Sequence, residues 1–72
     1  MYEVYGKANC NACTEAKLLL DNAGEDYIYK QLGKDFSLGE MFEVAPATHK
    51  TFPMIAKDGK YIGTLTDLKS LL

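Results

Sequence analysis

Val4-Tyr5-Gly6-Lys7-Ala8-Asn9-Cys10-Asn11-Ala12-Cys13 decides how this chain folds. It runs from a β-like segment, through a turn at Lys7 to Asn9, into the start of a helix-like segment. Two cysteines three residues apart stand at that junction, and the 72-residue chain has no others. A sulfur at a helix start meets free backbone N–H groups and the positive end of the helix dipole. A thiolate is stabilised there, so the Cys10 pKa is expected below the free value of about 8.5. Lys7 is close enough in sequence to add positive charge. Cys13 lies one turn further in, on the side of Ala16 and Leu20, and is expected to be more buried and less acidic. That asymmetry predicts an order of events. Cys10 attacks a disulfide and forms a mixed disulfide; Cys13 then attacks Cys10, releases the reduced product and leaves a Cys10–Cys13 bond.

Outward from this stretch the pattern predicts seven elements. Met1 to Gly6 reads as a strand, with Tyr2 and Val4 on one face and Glu3 and Tyr5 on the other. Asn11 to Ala23 reads as a helix whose apolar stripe is Ala12, Ala16, Leu19, Leu20 and Ala23. Gly24 stops it. Asp26 to Gln31 is a second strand, parallel to the first through a right-handed crossover. Phe36 to Val44 is a short helix with Ser37 as N-cap, and Pro46 prevents its continuation. Phe52 to Lys57 and Lys60 to Ile62 are strands joined by the hairpin dipeptide Asp58-Gly59. Thr64 or Thr66 caps a last helix that runs to Leu72. The order βαβαββα predicts an α/β fold, a four-stranded mixed sheet flanked by helices on both sides.

The bulk numbers bound the rest. The chain forms one domain, residues 1–72, and buries only about 60% of its unfolded surface, so its core is marginal. A C-x-x-C bridge closes too small a loop to staple it, and stability must come from packing. Hydrophobic residues at 47% and charged residues at 25% are ordinary for a globular protein. A net charge of −2 argues against nucleic acid and anionic lipid as partners. No apolar stretch approaches the roughly 20 residues of a membrane span. The N-terminus lacks a signal-peptide pattern, so the expected compartment is the cytoplasm. There a C-x-x-C pair is more often catalytic or metal-binding than a permanent bridge. The metal alternative is short of ligands. Tetrahedral zinc wants four, His49 is the only histidine, and carboxylates or a second chain would have to complete the set.

Three blocks, in order, carry a resemblance to the glutaredoxin family within the thioredoxin fold. Val4 to Cys13 is similar to the family's strand followed by K-x-x-C-x-x-C. Thr51-Phe52-Pro53 is similar to its T-V-P. Gly59-Lys60-Tyr61-Ile62-Gly63-Thr64-Leu65-Thr66-Asp67-Leu68 is similar to its G-x-x-I-G-G-x-[TSD]-D-L. The resemblance implies a minimal thioredoxin-like fold, with Cys10 as nucleophile and Cys13 as resolving thiol. It implies a cis peptide bond before Pro53, and a Phe52 backbone that pairs with a bound peptide or glutathione like an added strand. It implies that Thr66 and Asp67 hold the γ-glutamyl end of glutathione through backbone N–H groups and the Asp67 carboxylate. Lys7 would face the glycine carboxylate.

Each of these residues also has a plain reading. Pro53 without the resemblance begins an edge strand. Thr66 and Asp67 cap the last helix, which is compatible with ligand binding. Lys7 is a solvated surface charge, and Tyr5, Phe42 and Tyr61 are packing residues rather than ligands. The departures from the family pattern are specific. C-P-Y-C becomes Cys-Asn-Ala-Cys, which removes a proline and the aromatic flanking the nucleophile. The second glycine of the G-G pair is Thr64. Many relatives carry a further helix where this chain ends. The pattern is similar to that of the small glutaredoxins and glutaredoxin-like redoxins of bacteria and their viruses.

The implied function is thiol–disulfide oxidoreduction of protein disulfides or glutathione mixed disulfides. Glutathione is the expected reductant, with no bound cofactor or metal, and a monomer is the expected state. Ribonucleotide reductase is the acceptor the family suggests. Two alternatives stand beside it: a redoxin reduced by thioredoxin reductase, and a metal or iron–sulfur module built on the C-x-x-C.

Overall fold

A computed structural model describes all 72 residues. The elements are β1 (Tyr2–Gly6), α1 (Asn11–Asn22), β2 (Tyr27–Gln31), α2 (Leu38–Val44), β3 (Met54–Lys57), β4 (Lys60–Gly63) and α3 (Leu65–Leu71). The strands form one sheet in the order β2-β1-β3-β4. β1 and β2 are parallel, with Tyr2 opposite Tyr27 and Gly6 opposite Gln31. β3 runs antiparallel to β1, and β4 antiparallel to β3. This is the expected mixed four-stranded sheet and a minimal thioredoxin-like fold.

Alternation along β1 sorts the core into two layers. Tyr2 and Val4 meet Ala16 and Leu20 of α1, Ile55 of β3 and Leu68 of α3. Tyr5 points the other way, onto Phe36, Met41 and Ala45, with Met54 and Ala56 of β3 beneath. Helices therefore cover both faces, and central β1 is buried almost throughout. Each fully buried side chain the size of Leu20 contributes about 1.5–3 kcal/mol, so α1 is held by few contacts of high value. No helix is long and apolar enough to cross a membrane.

Element ends move for local reasons. α1 stops at Asn22 with Ala23 as C-cap, so Ala23 lies off the buried stripe and is exposed. Gly24 follows with φ +69°, the left-handed turn that ends the helix. α2 starts at Leu38 rather than Phe36. Ser37 accepts the Glu40 N–H and the Glu40 carboxylate accepts the Ser37 N–H, a reciprocal cap that fixes the start. Phe36 is left as a buried wedge that meets the Tyr5 ring edge-on at 5.0 Å. β3 begins at Met54, because Pro53 has no N–H to give the ladder. Phe42, read as a packing residue, is 41% exposed: α2 turns Met41 and Ala45 to the sheet, and Phe42 falls on the next face. Asp58 and Gly59 both take positive φ, as their hairpin requires.

Candidate active site

The strand-to-helix junction is set by backbone geometry. Asn9 has φ +54°, a left-handed conformation that asparagine tolerates better than most residues. Cys10 is then extended and serves as N-cap of α1. Its Sγ accepts the Cys13 N–H at 3.2 Å, and its carbonyl accepts the Thr14 N–H at 3.2 Å. An amide thus donates directly to the outer sulfur of the pair. Cys10 is half-exposed, whereas Cys13 is 1% exposed and belongs to the buried stripe of α1. The two are joined by a disulfide across a Cα–Cα separation of 5.3 Å, so the structure is of the oxidised dithiol. Of the two cysteines, only Cys10 reaches solvent to any extent.

The loop into this junction is held from β2. The Tyr29 hydroxyl donates to the Lys7 carbonyl at 3.4 Å, and the Lys17 ammonium lies 4.2 Å from the Tyr29 ring centroid. Gly6 is required where Tyr29 crosses it: a Cβ there would lie 2.5 Å from the hydroxyl. Lys7 is exposed, makes no ion pair, and carries its ammonium 5.5 Å from the Phe52 ring centroid. The structure thus brings together Lys7 and Phe52, two of the residues the family resemblance marks. The Phe52–Pro53 peptide is cis and Pro53 is buried. Phe52 is half-buried against the Tyr5 layer of the core.

A second cluster lies at the start of α3. Thr64 is its N-cap, which settles the choice between Thr64 and Thr66. The Asp67 carboxylate accepts the Thr64 N–H at 2.8 Å and the Thr64 hydroxyl at 3.1 Å. The backbone hydrogen bond, then the hydroxyl, hold the Asp67 pKa below the ordinary carboxylate value, with a smaller pull from His49. Gly63 has φ +141° and lies under this carboxylate, which a Cβ would strike. Thr66 is exposed on the first turn of α3. No hydrogen bond or ion pair links Thr66 or Asp67 to Lys7 or to the cysteines.

His49 and Tyr61, not among the expected site residues, bond to one another beside the Thr51–Pro53 segment. His49 Nε2 lies 2.7 Å from the Thr51 carbonyl oxygen, and Nδ1 lies 2.7 Å from the Tyr61 hydroxyl. No pattern in the sequence marks this pair; the position of His49 two residues before Thr51 is the only hint. With its ring nitrogens engaged, His49 does not join a metal set, and no three His, Cys, Asp or Glu side chains converge.

No protein-family model matches the sequence, and no curated protein matches it. Solved structures do. Reduced Escherichia coli glutaredoxin superposes with a TM-score of 0.79 at 26% identity, covering 97% of this chain and 89% of that one. The dithiolic glutaredoxin 2-C-Grx1 of Trypanosoma brucei brucei gives 0.76 at 27% identity, covering 97% and 74%. Glutaredoxin 1 of Francisella tularensis, complexed with cacodylate, gives 0.77 at 19% identity, covering 96% and 87%, a likeness of fold.

Proposed function

We propose, for a chain that its fold and structural neighbours assign to the glutaredoxin family, a glutathione-dependent reductase of disulfides working through two thiols. The coarser part of this reading, a thiol–disulfide oxidoreductase, is supported by the neighbours and by the bonded Cys10–Cys13 pair. One observation carries the mechanism: a half-exposed sulfur at a helix N-cap, bonded to a buried sulfur one turn in.

In the reduced protein the Cys10 thiolate attacks one sulfur of a substrate disulfide. A Cys10–substrate bond forms, the substrate S–S bond breaks, and the other substrate sulfur leaves as thiolate. Cys13 gives up its proton and attacks Cys10 Sγ. The substrate's remaining sulfur leaves, and the Cys10–Cys13 bond closes. Two electrons have passed to the substrate. One glutathione thiolate then attacks Cys10, freeing Cys13, and a second removes the first as glutathione disulfide. Cys10 is the sulfur attacked because Cys13 is covered. The N–H of Cys13 stabilises the thiolate that leaves and returns there.

Lys7, Phe52, Pro53, Thr66 and Asp67 form the substrate-binding set of this reading. Lys7 supplies a free cation for a carboxylate, and the Phe52–Pro53 bend presents backbone for strand-like pairing. The α3 start offers the Thr66 and Asp67 amides, with the Asp67 carboxylate for an amine. Protein disulfides, ribonucleotide reductase among them, are the acceptors, and a cytoplasmic monomer is the working form. Glutathione-dependent reduction of a small mixed disulfide tests the proposal. Wild type should turn over and Cys10→Ser should not; an inactive wild type or an active Cys10→Ser rejects it.

A second reading keeps the sulfur chemistry and takes electrons from thioredoxin reductase. It is favoured by Ala12, which leaves the nucleophile without a flanking aromatic. Reduction by NADPH and thioredoxin reductase, but not by glutathione, would select it. An iron–sulfur role would need ligands from glutathione and a second copy, since one chain brings no third ligand to the cysteines.

A further inference from the structure

His49 is the one buried side chain, at 4% exposed, that stands outside the apolar core, and it takes no part in the sulfur chemistry. It lies between α2 and β3. A carbonyl oxygen has no proton to give, so the 2.7 Å contact to Thr51 fixes the proton on Nε2. In the neutral ring Nδ1 then accepts from the Tyr61 hydroxyl, also at 2.7 Å. The two rings meet edge-on, with centroids 5.5 Å apart at 86°. The imidazole therefore ties two separate segments together. One is Thr51, which directly precedes the cis Phe52–Pro53 bend. The other is Tyr61 on β4, two residues before Gly63 and the Thr64–Asp67 cap. Bulk packing alone asks for neither bond, because an apolar side chain of similar volume would fill the space.

We infer that His49 is a positioning residue: it sets the spacing between the Phe52–Pro53 bend and the Gly63–Asp67 turn, and through them the affinity for substrate. This rests on the proposed function only in taking those two segments as substrate-facing.

Three full-length variants test it. His49→Leu removes both bonds, Tyr61→Phe removes one, and His49→Gln keeps an N–H for the Thr51 carbonyl. A loss of positioning worth one net hydrogen bond corresponds to about a two- to tenfold change in KM. With a glutathionylated peptide, His49→Leu should raise KM by that factor while kcat stays within about twofold. His49→Gln should return KM to within about twofold of wild type, and Tyr61→Phe should fall between. A lower Tm with KM unchanged in His49→Leu would make His49 merely structural and overturn the inference. Backbone amide shifts give a readout that needs no activity. The Phe52 and Gly63 resonances should both move in Tyr61→Phe, and the His49 Nε2 proton should exchange slowly in wild type. If the two amides stay in place, or that proton exchanges freely, the inference falls even if His49→Leu does not fold. An inactive wild type with both signatures present defeats the glutathione reading and leaves the crosslink standing.

Discussion

Gly63→Ala is the substitution whose cost is most directly worked from the structure. Gly63 has φ +141°, where an L-residue is strained by about 1–3 kcal/mol. Its new Cβ would also strike the Asp67 carboxylate and sit 2.8 Å from Cγ and 3.1 Å from Cβ. Asp67 would have to rotate away and give up both hydrogen bonds to Thr64. Those bonds lie at the surface, and their loss adds to the strain. The strain alone is about 1–3 kcal/mol, against a total of about 4–11 kcal/mol expected for a domain of this size. At about 4–8 °C per kcal/mol, Tm should fall by at least about 4 °C. Urea unfolding of the oxidised protein, followed by circular dichroism, should show a lower midpoint at constant slope. The clash share can be isolated. In an Asp67→Ala background the carboxylate is gone, so Gly63→Ala should cost less there by the cap's portion. A cost below about 0.5 kcal/mol, or one equal in both backgrounds, would refute the reasoning.

Other expectations follow from the same geometry. Cys13→Ser should trap the Cys10–substrate mixed disulfide, seen as a covalent adduct by mass spectrometry, because no internal thiol releases it; failure to accumulate the adduct contradicts the assigned roles. The Asp67 pKa is lowered on folding, so its carboxylate favours the native state above the unfolded value of about 3.9. That contribution is lost as pH falls through the lower native value. The stability gap between wild type and Asp67→Asn should therefore be full near neutrality and close in acid, and a gap independent of pH counts against it.

Much of this arrangement was legible in the sequence because its signals are local. Asp58-Gly59 fixes a hairpin by backbone conformation alone, and the strand–helix–strand order over residues 1–31 fixes a parallel pair. The placement of Cys10 as cap and Cys13 as buried follows from helical periodicity. Helix caps and tertiary context decided the rest. Phe36 reads as helical until the Ser37–Glu40 cap excludes it. Ala23 and Phe42 are apolar but lie just off the buried stripes, at a cap and around a helix. In the sequence His49 reads only as a metal ligand, since nothing local foretells that its ring links Thr51, two residues on, with Tyr61, 12 residues on. The Asp67 carboxylate, which the resemblance gives to the γ-glutamyl end of a ligand, also binds Thr64 through Oδ2, a bond no sequence pattern separates from that role.

The proposed chemistry depends on the N-cap position making Cys10 a ready thiolate. Alkylation of the reduced protein with iodoacetamide across pH, resolved by peptide mass spectrometry, measures it directly. Cys10 should react far faster than Cys13 at neutral pH, with a midpoint below about 8.5. Two thiols of equal, slow reactivity, each rising only near 8.5, would contradict the account.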